Sequence, residues 1–311
     1  MSPPARFRPD GRHLALVGPT ASGKSSLAMA LAQRSSDFEI VTVDSMQVYR
    51  GMDIGTAKPS LVEQSEVVHH LIDVCDPDED YTVARFQRDC LAVLADIEDR
   101  GRRALVVGGT GLYLQSITDD LELPGRFPDV RVDLEAEPDT ATLFARLETL
   151  DPIAAARMEP TNRRRVLRAL EVSIGSGRTF SSFGPGLEDY PEAPFPIVGI
   201  EISRDLLDQR IAQRYRQQMA DGFLAEVQSL LVRPGGLSRT ARQALGYAEL
   251  LSHVEDGIDL DLALDTAVMR TKRFARRQQR WFGRDPRIRW IASDGEVSEN
   301  LLAELARGLI D

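Results

Sequence analysis

The chain has 311 residues, 42% apolar and 28% charged, with a formal net charge of −10. That length can bury a sizeable core and hold two domains, and the balance is that of an ordinary globular protein. No apolar run approaches the ~20 residues that span a bilayer, and the two cysteines, Cys75 and Cys90, without a CxxC, give no disulfide framework or zinc site.

The opening, MSPPARFRPDGRH, lacks an apolar signal segment, so residence in the cytoplasm is expected. The apolar run Leu14–Val17 reads as a strand. Directly after it, Gly18, Pro19, Thr20, Ala21, Ser22, Gly23, Lys24 and Ser25 fit G-x-x-x-x-G-K-[ST] at every fixed position, and a helix-compatible run follows. Strand, loop and helix in that order are the context in which this pattern cradles phosphate. The glycines let backbone N–H groups face phosphate oxygens at the positive end of a helix. Lys24 adds a point charge and Ser25 a hydroxyl for Mg²⁺. The loop predicts a phosphate chain without saying whose.

Further strands are predicted at 40–43, 71–74 and 104–107, with a helix at 83–100. The adjacent pair His69-His70 would face opposite ways on a strand and makes a poor metal chelate. Asp44 closes the second strand, where ligands of open α/β sheets sit. A turn-capping role is its plainer alternative. The strand at 104–107 ends in Gly-Gly-Thr with no acid, unlike the usual nucleotide-hydrolysing site. Residues 119–140 are rich in Pro, Asp and Glu, and helices are predicted at 141–158 and 164–175. In the latter, Arg163, Arg164, Arg165 and Arg168 open a helix whose Leu167, Leu170 and Ile174 form the buried side. After a strand at 197–202, the C-terminal third reads as helical: 206–220, 224–231, 242–253 and 262–282. The fold class expected is α/β, a P-loop NTPase-like parallel sheet core with a mainly helical insertion domain: core 1–118, insertion 119–192, core again 193–311.

Charge is unevenly placed. Residues 270–289 carry nine basic residues and one acid, Asp285, a local balance of +8. Arg270, Arg273, Arg277, Arg280 and Arg284 are spaced 3, 4, 3, 4, one helix face about 21 Å long. Ala267, Phe274 and Trp281 are expected to face inward at the same period. A basic face without interleaved acids suits a phosphate backbone.

The runs GPTASGKSS, VDSMQVYRGMDIGTAKP, HHLIDVCDPDEDYTVARF, VVGGTGLYLQ, DPIAAARM, RRRVLRALEV, RIAQRYRQQMADGFLAEV, RQALGYAEL and RRQQRWF occur in one order from about residue 14 to 292. In that order they resemble the bacterial tRNA dimethylallyltransferases. The resemblance implies prenyl transfer from dimethylallyl diphosphate to N6 of adenosine 37, beside the tRNA anticodon, so that the loop holds an isoprenoid diphosphate. It implies that Arg214 lies near the diphosphate and that Thr110 contacts the target nucleotide. Ser45, Met46, Gln47, Arg131, Arg242, Gly246 and Tyr247 fall on the RNA path by the same likeness, together with Arg164, Arg165, Arg168, Arg273, Arg276, Arg277 and Arg280. Thr110 also suits a helix N-cap, and Arg210, one turn before Arg214, could share its role. Where the family often shows K-R-Q-x-T-W-x-R, this chain has arginine at 280 and glycine at 283.

The chemistry agrees. An allylic diphosphate ionises readily when its leaving group is neutralised, which backbone amides, Lys24 and Mg²⁺ would do. Adenine's exocyclic amine is a weak nucleophile and gains from a carboxylate that takes its proton, for which Asp44 is the candidate base. The expected partners are a tRNA anticodon stem-loop and dimethylallyl diphosphate, with no membrane and a monomeric enzyme. Two rivals remain: a P-loop kinase of a small metabolite, which leaves both arginine faces idle, and a non-catalytic RNA-binding module, which needs neither Asp44 nor an intact loop.

Overall fold

The computed structural model describes residues 13–307; the opening segment before His13 lies outside them. The chain divides into two compact units, one of Met1–Asp119 with Tyr190–Asp311, the other Asp120–Asp189.

The larger unit begins with β1 (Leu14–Val17), α1 (Lys24–Arg34), β2 (Phe38–Val43), α2 (Leu61–Glu66), β3 (His69–His70), α3 (Val83–Asp99), β4 (Arg103–Gly108) and α4 (Gly111–Thr118). The smaller unit holds α5 (Pro128–Glu135), α6 (Thr140–Leu150), α7 (Pro152–Ala156), α8 (Arg163–Ser176) and a 3₁₀ turn (Phe180–Phe183). The larger unit resumes with β5 (Ile197–Glu201), α9 (Arg204–Ala220), α10 (Phe223–Leu231), α11 (Arg239–Arg242), α12 (Tyr247–Asp256), α13 (Leu260–Phe282), β6 (Ile288–Ala292) and α14 (Glu299–Arg307).

The six strands form one parallel sheet in the order β3-β2-β4-β1-β5-β6. Its central strands are apolar on both faces, as helices on either side require. Leu14 and Leu16 of β1 pack with Leu27 and Leu31 of α1 and Leu302 and Leu305 of α14. Ala15 and Val17 turn to the other face, into the core that holds Phe86, Leu94, Tyr113 and Ile211. Register then places the site: Val17 and Val43 both pair with Gly108. Parallel strands in that register deliver Gly18, Asp44 and Gly109 side by side at one edge. Gly108 has to be glycine, since a Cβ there would lie 2.0 Å from the Val43 carbonyl oxygen.

Five expectations change, the first being the helix at 141–158, which is two helices, α6 and α7, parted at Asp151. The third strand is His69–His70, not 71–74, because Leu71 and Asp73 take φ of +62° and +54° and break the extended run. The C-terminal third contains the edge strand β6, in which the exposed Arg289 next to the buried Ile288 interrupts the apolar run. The helix at 242–253 is two helices, parted at Gly246, with φ of +84°. Residues 128–135, where no individual element is predicted within the helical insertion, form α5, which starts on Pro128 at its first position.

The smaller unit has its own core of Leu134, Leu143, Leu147, Val166, Leu167 and Leu170. Asp139, Asp151 and Asn162 cap its helices, each side chain accepting a first-turn N–H. Ile174, expected inside with Leu167 and Leu170, is exposed.

Candidate active site and its arginine helix

The Gly18–Ser25 loop turns through Ala21 (φ +64°) and Gly23 (φ +89°) into α1. Gly23 is the N-cap and lies against Gly295, whose carbonyl oxygen a Cβ would meet at 2.8 Å. No acid stands in the first turn of α1, so its amides and dipole remain open to an anion. Lys24 Nζ donates to the Pro19 carbonyl at 3.2 Å. Burial, with Arg214 nearby, lowers the Lys24 pKa to about 8 against the opposing pull of Asp44. Burial also lowers the Arg214 pKa, again opposed by Asp44. Two desolvated cations therefore lie within electrostatic reach of one carboxylate.

Arg214 NH1 donates to Thr20 Oγ1 at 3.1 Å, and Arg210 Nε to the Ala21 carbonyl at 2.9 Å. Arg210 also pairs with Glu296 at 3.3 Å. Ser22 is buried, with its hydroxyl turned toward Gly18, so it serves the loop through its backbone. Ser25 is exposed on the first turn of α1.

Of the two readings of Asp44, the turn cap is the one seen. Its Oδ1 caps the following turn, accepting from Met46 N at 2.8 Å and Gln47 N at 3.3 Å. No described donor bonds its Oδ2. Thr110 stands at the start of α4 but does not cap it; its Oγ1 accepts the Ser45 N–H at 3.2 Å instead. Gln47 gives its amide to the Thr56 and Ala57 carbonyls, both at 3.1 Å, and so fastens the loop rather than reaching out.

Two anchors of that loop had no signal in the sequence as read. Glu226 Oε2 accepts from Asp53 N (2.9 Å) and Ile54 N (2.7 Å), and its Oε1 from Gly55 N (3.1 Å). Lys58, its side chain 2% exposed, binds Asp53 and Asp73, each at 2.5 Å. Tyr247 belongs to this frame: it is fully buried and donates its hydroxyl to Glu226 at 2.6 Å, so it is not an exposed RNA contact. Beside the loop lies a cavity of about 770 Å³, lined by Ala21, Asp53, Lys58, Arg210, Arg214 and Gln218 among others.

The buried stripe of α13 is Ala263, Ala267, Thr271, Ala275, Gln278 and Phe282. Phe274 and Trp281, expected inside, are half-buried at its margins, under Arg277 and Arg284 respectively. Arg273, Arg277 and Arg280 are exposed and pair with no carboxylate among the described residues. The other basic candidates on this unit are engaged. Arg270 bonds Glu249, Arg276 bonds Asp208 at 3.2 Å, and Arg242 bonds Glu255. In the smaller unit Arg168 bonds Glu171 at 2.7 Å and Arg131 bonds Glu135 at 2.7 Å, whereas Arg164 and Arg165 are exposed and have no such pair among the described residues.

Residues 47–285 match the family model described as IPP transferase, and residues 12–75 that described as isopentenyl transferase. The chain belongs to the IPP transferase family. A tRNA dimethylallyltransferase of Bifidobacterium longum is 44% identical over 303 residues, which cover 95% of this chain and 91% of that one. One from Kineococcus radiotolerans is 45% identical, covering 91% of each. Among solved structures, the full-length tRNA isopentenylpyrophosphate transferase of Bacillus halodurans is similar with a TM-score of 0.69 and 35% identity, over 97% of both chains. A eukaryotic dimethylallyltransferase acting on tRNA is similar with a TM-score of 0.75 and 25% identity, over 90% of this chain and 73% of that one. The family's parallel sheet is thus the fold found here, with the Gly18–Ser25 loop at the carboxyl end of its inner strand β1.

Proposed function

We propose that the protein transfers a dimethylallyl group from dimethylallyl diphosphate to N6 of adenosine 37 in the tRNA anticodon stem-loop, releasing diphosphate. The observation that carries this reading is the meeting of Lys24, Arg214 and Asp44 at one sheet edge, cations for a leaving anion and a carboxylate for the nucleophile. The diphosphate is held by the α1 amides, Lys24 and Arg214, with the Thr20 hydroxyl donating to it while accepting from Arg214. As the C–N bond forms, Asp44 Oδ2 takes the proton of the exocyclic amine. Thr110 orients the base, which has left its stack to enter the site.

Among the described residues no group of three His, Cys, Asp or Glu could cage a metal. Ser25 alone is offered, which fits Mg²⁺, an ion that completes its shell with water and phosphate oxygens. When bound it would help neutralise the departing diphosphate. The enzyme is proposed to act as a monomer in the cytoplasm; no described helix is long and apolar enough to cross a membrane. The donor is tested by ligand-induced stabilisation: dimethylallyl diphosphate raises Tm more than ATP at equal concentration. A larger shift with ATP supports a kinase instead.

For RNA, the exposed unpaired arginines of α13 and the exposed Arg164 and Arg165 supply phosphate contacts. Replacing Arg273 and Arg277 with glutamine weakens tRNA binding and flattens the slope of log K against log salt by roughly 0.7–0.9 per lost contact. The rate from the saturated complex changes little, as neither arginine is assigned to the reacting atoms. An unchanged slope in a folded variant shows a merely solvated face.

A further inference from the structure

Gln278 is the one long polar side chain of the buried stripe of α13, 7% exposed. Its Oε1 accepts the Thr20 N–H at 2.9 Å, and its Nε2 donates to the Gly109 carbonyl at 2.8 Å. The amide's orientation is set by its partners, because the flipped form would oppose donor to donor and acceptor to acceptor. Each partner adjoins a different half of the site. Thr20 carries the hydroxyl that Arg214 engages at 3.1 Å. Gly109 precedes Thr110, whose hydroxyl accepts from Ser45 N, next to Asp44. Room for the bracket is reserved in the sequence: a Cβ on Gly109 would lie 2.3 Å from Gln278 Nε2, and one on Gly111 2.2 Å from the Trp281 ring.

We infer that Gln278 is a positioning residue that sets the spacing between the diphosphate end of the site and the base end. It touches neither substrate. It holds Thr20 and the Gly109–Thr110 turn at one separation, so the leaving group and the amine meet in line. The inference rests on the proposed prenyl transfer. It also accounts for a glutamine inside a helix whose outer face is arginine: α13 presents Arg273, Arg277 and Arg280 outward and joins both halves of the site from within.

Two variants test it. Gln278→Met keeps the volume and loses both hydrogen bonds. Gln278→Glu keeps the shape, but as a carboxylate it cannot donate to Gly109. Single-turnover transfer with saturating substrates falls about 10- to 100-fold in both at pH 8, the scale of a small misplacement of reacting groups. The Kd for tRNA stays within about twofold, since the arginine face is untouched. In Gln278→Glu the rate relative to wild type recovers as pH falls toward 6, because a buried carboxyl beside a carbonyl has a raised pKa, and its protonated form restores the donor. Binding of inorganic pyrophosphate, measured apart from turnover, weakens about tenfold in Gln278→Met, the worth of roughly one hydrogen bond. Wild-type rates and pyrophosphate affinity in Gln278→Met overturn the inference. So does a parallel loss of rate and tRNA binding with no recovery at low pH, which marks a packing residue. A wild-type protein that transfers no prenyl group, with the pyrophosphate difference intact, counts against the proposed reaction and not against the bracket.

Discussion

Asp44→Asn lowers the single-turnover rate of prenyl transfer about 10²- to 10⁴-fold, the usual reach of a general base. Asparagine is the sharper substitution here. Asp44 Oδ1 caps the turn through Met46 N and Gln47 N, and an asparagine oxygen can keep those bonds while the proton acceptor is lost. Asp44→Ala removes both and should be as slow or slower, with some loss of tRNA affinity as the turn loosens. Affinity for dimethylallyl diphosphate changes little in Asp44→Asn. A normal single-turnover rate in that variant removes Asp44 from the chemistry.

Lys24→Ala loses diphosphate affinity and rate together, because the charge acts on both the bound anion and the leaving group. A fall in rate of about 10²- to 10³-fold is expected, as for other preorganised donors at developing charge. The pH dependence gives a second reading. With a pKa lowered to about 8, Lys24 is charged in the free protein below that pH and neutral above it. Relative to a variant with a permanent charge at this position, pyrophosphate affinity is therefore level below about pH 8 and falls as pH rises through it. Lys24→Arg, which stays charged, is that variant. A wild-type affinity that stays constant relative to it up to pH 9.5 contradicts a role for Lys24 as the titrating cation.

Much of this site can be read from the chain because parallel strands put their C-terminal residues at one edge. β1 continues into Gly18–Ser25, β2 into Asp44 and β4 into Gly109-Thr110, so three separate stretches become neighbours once the sheet is seen. Arg273, Arg277 and Arg280 were legible for a different reason: nothing acidic is interleaved with them. What lay hidden depended on tertiary partners. Glu226 sits in an unremarkable amphipathic helix, and its task appears only where three successive amides of residues 53–55 converge on it. Tyr247 looks like an RNA contact until its hydroxyl is found on that same carboxylate. Gln278 is one glutamine of two in RRQQRWF, and helical phase, not composition, turns it inward. β6 is hidden because an edge strand with one solvated face can carry an arginine, here Arg289, of the kind that elsewhere signals RNA.

The most direct measurement is transfer of labelled dimethylallyl diphosphate to an unmodified tRNA bearing adenosine 37, with the modified nucleotide mapped after digestion. The expected result is Mg²⁺-dependent label on N6 of adenosine 37, one equivalent of diphosphate released per label, and loss of both in Asp44→Asn. Label at another nucleotide, or transfer undiminished in Asp44→Asn, contradicts it.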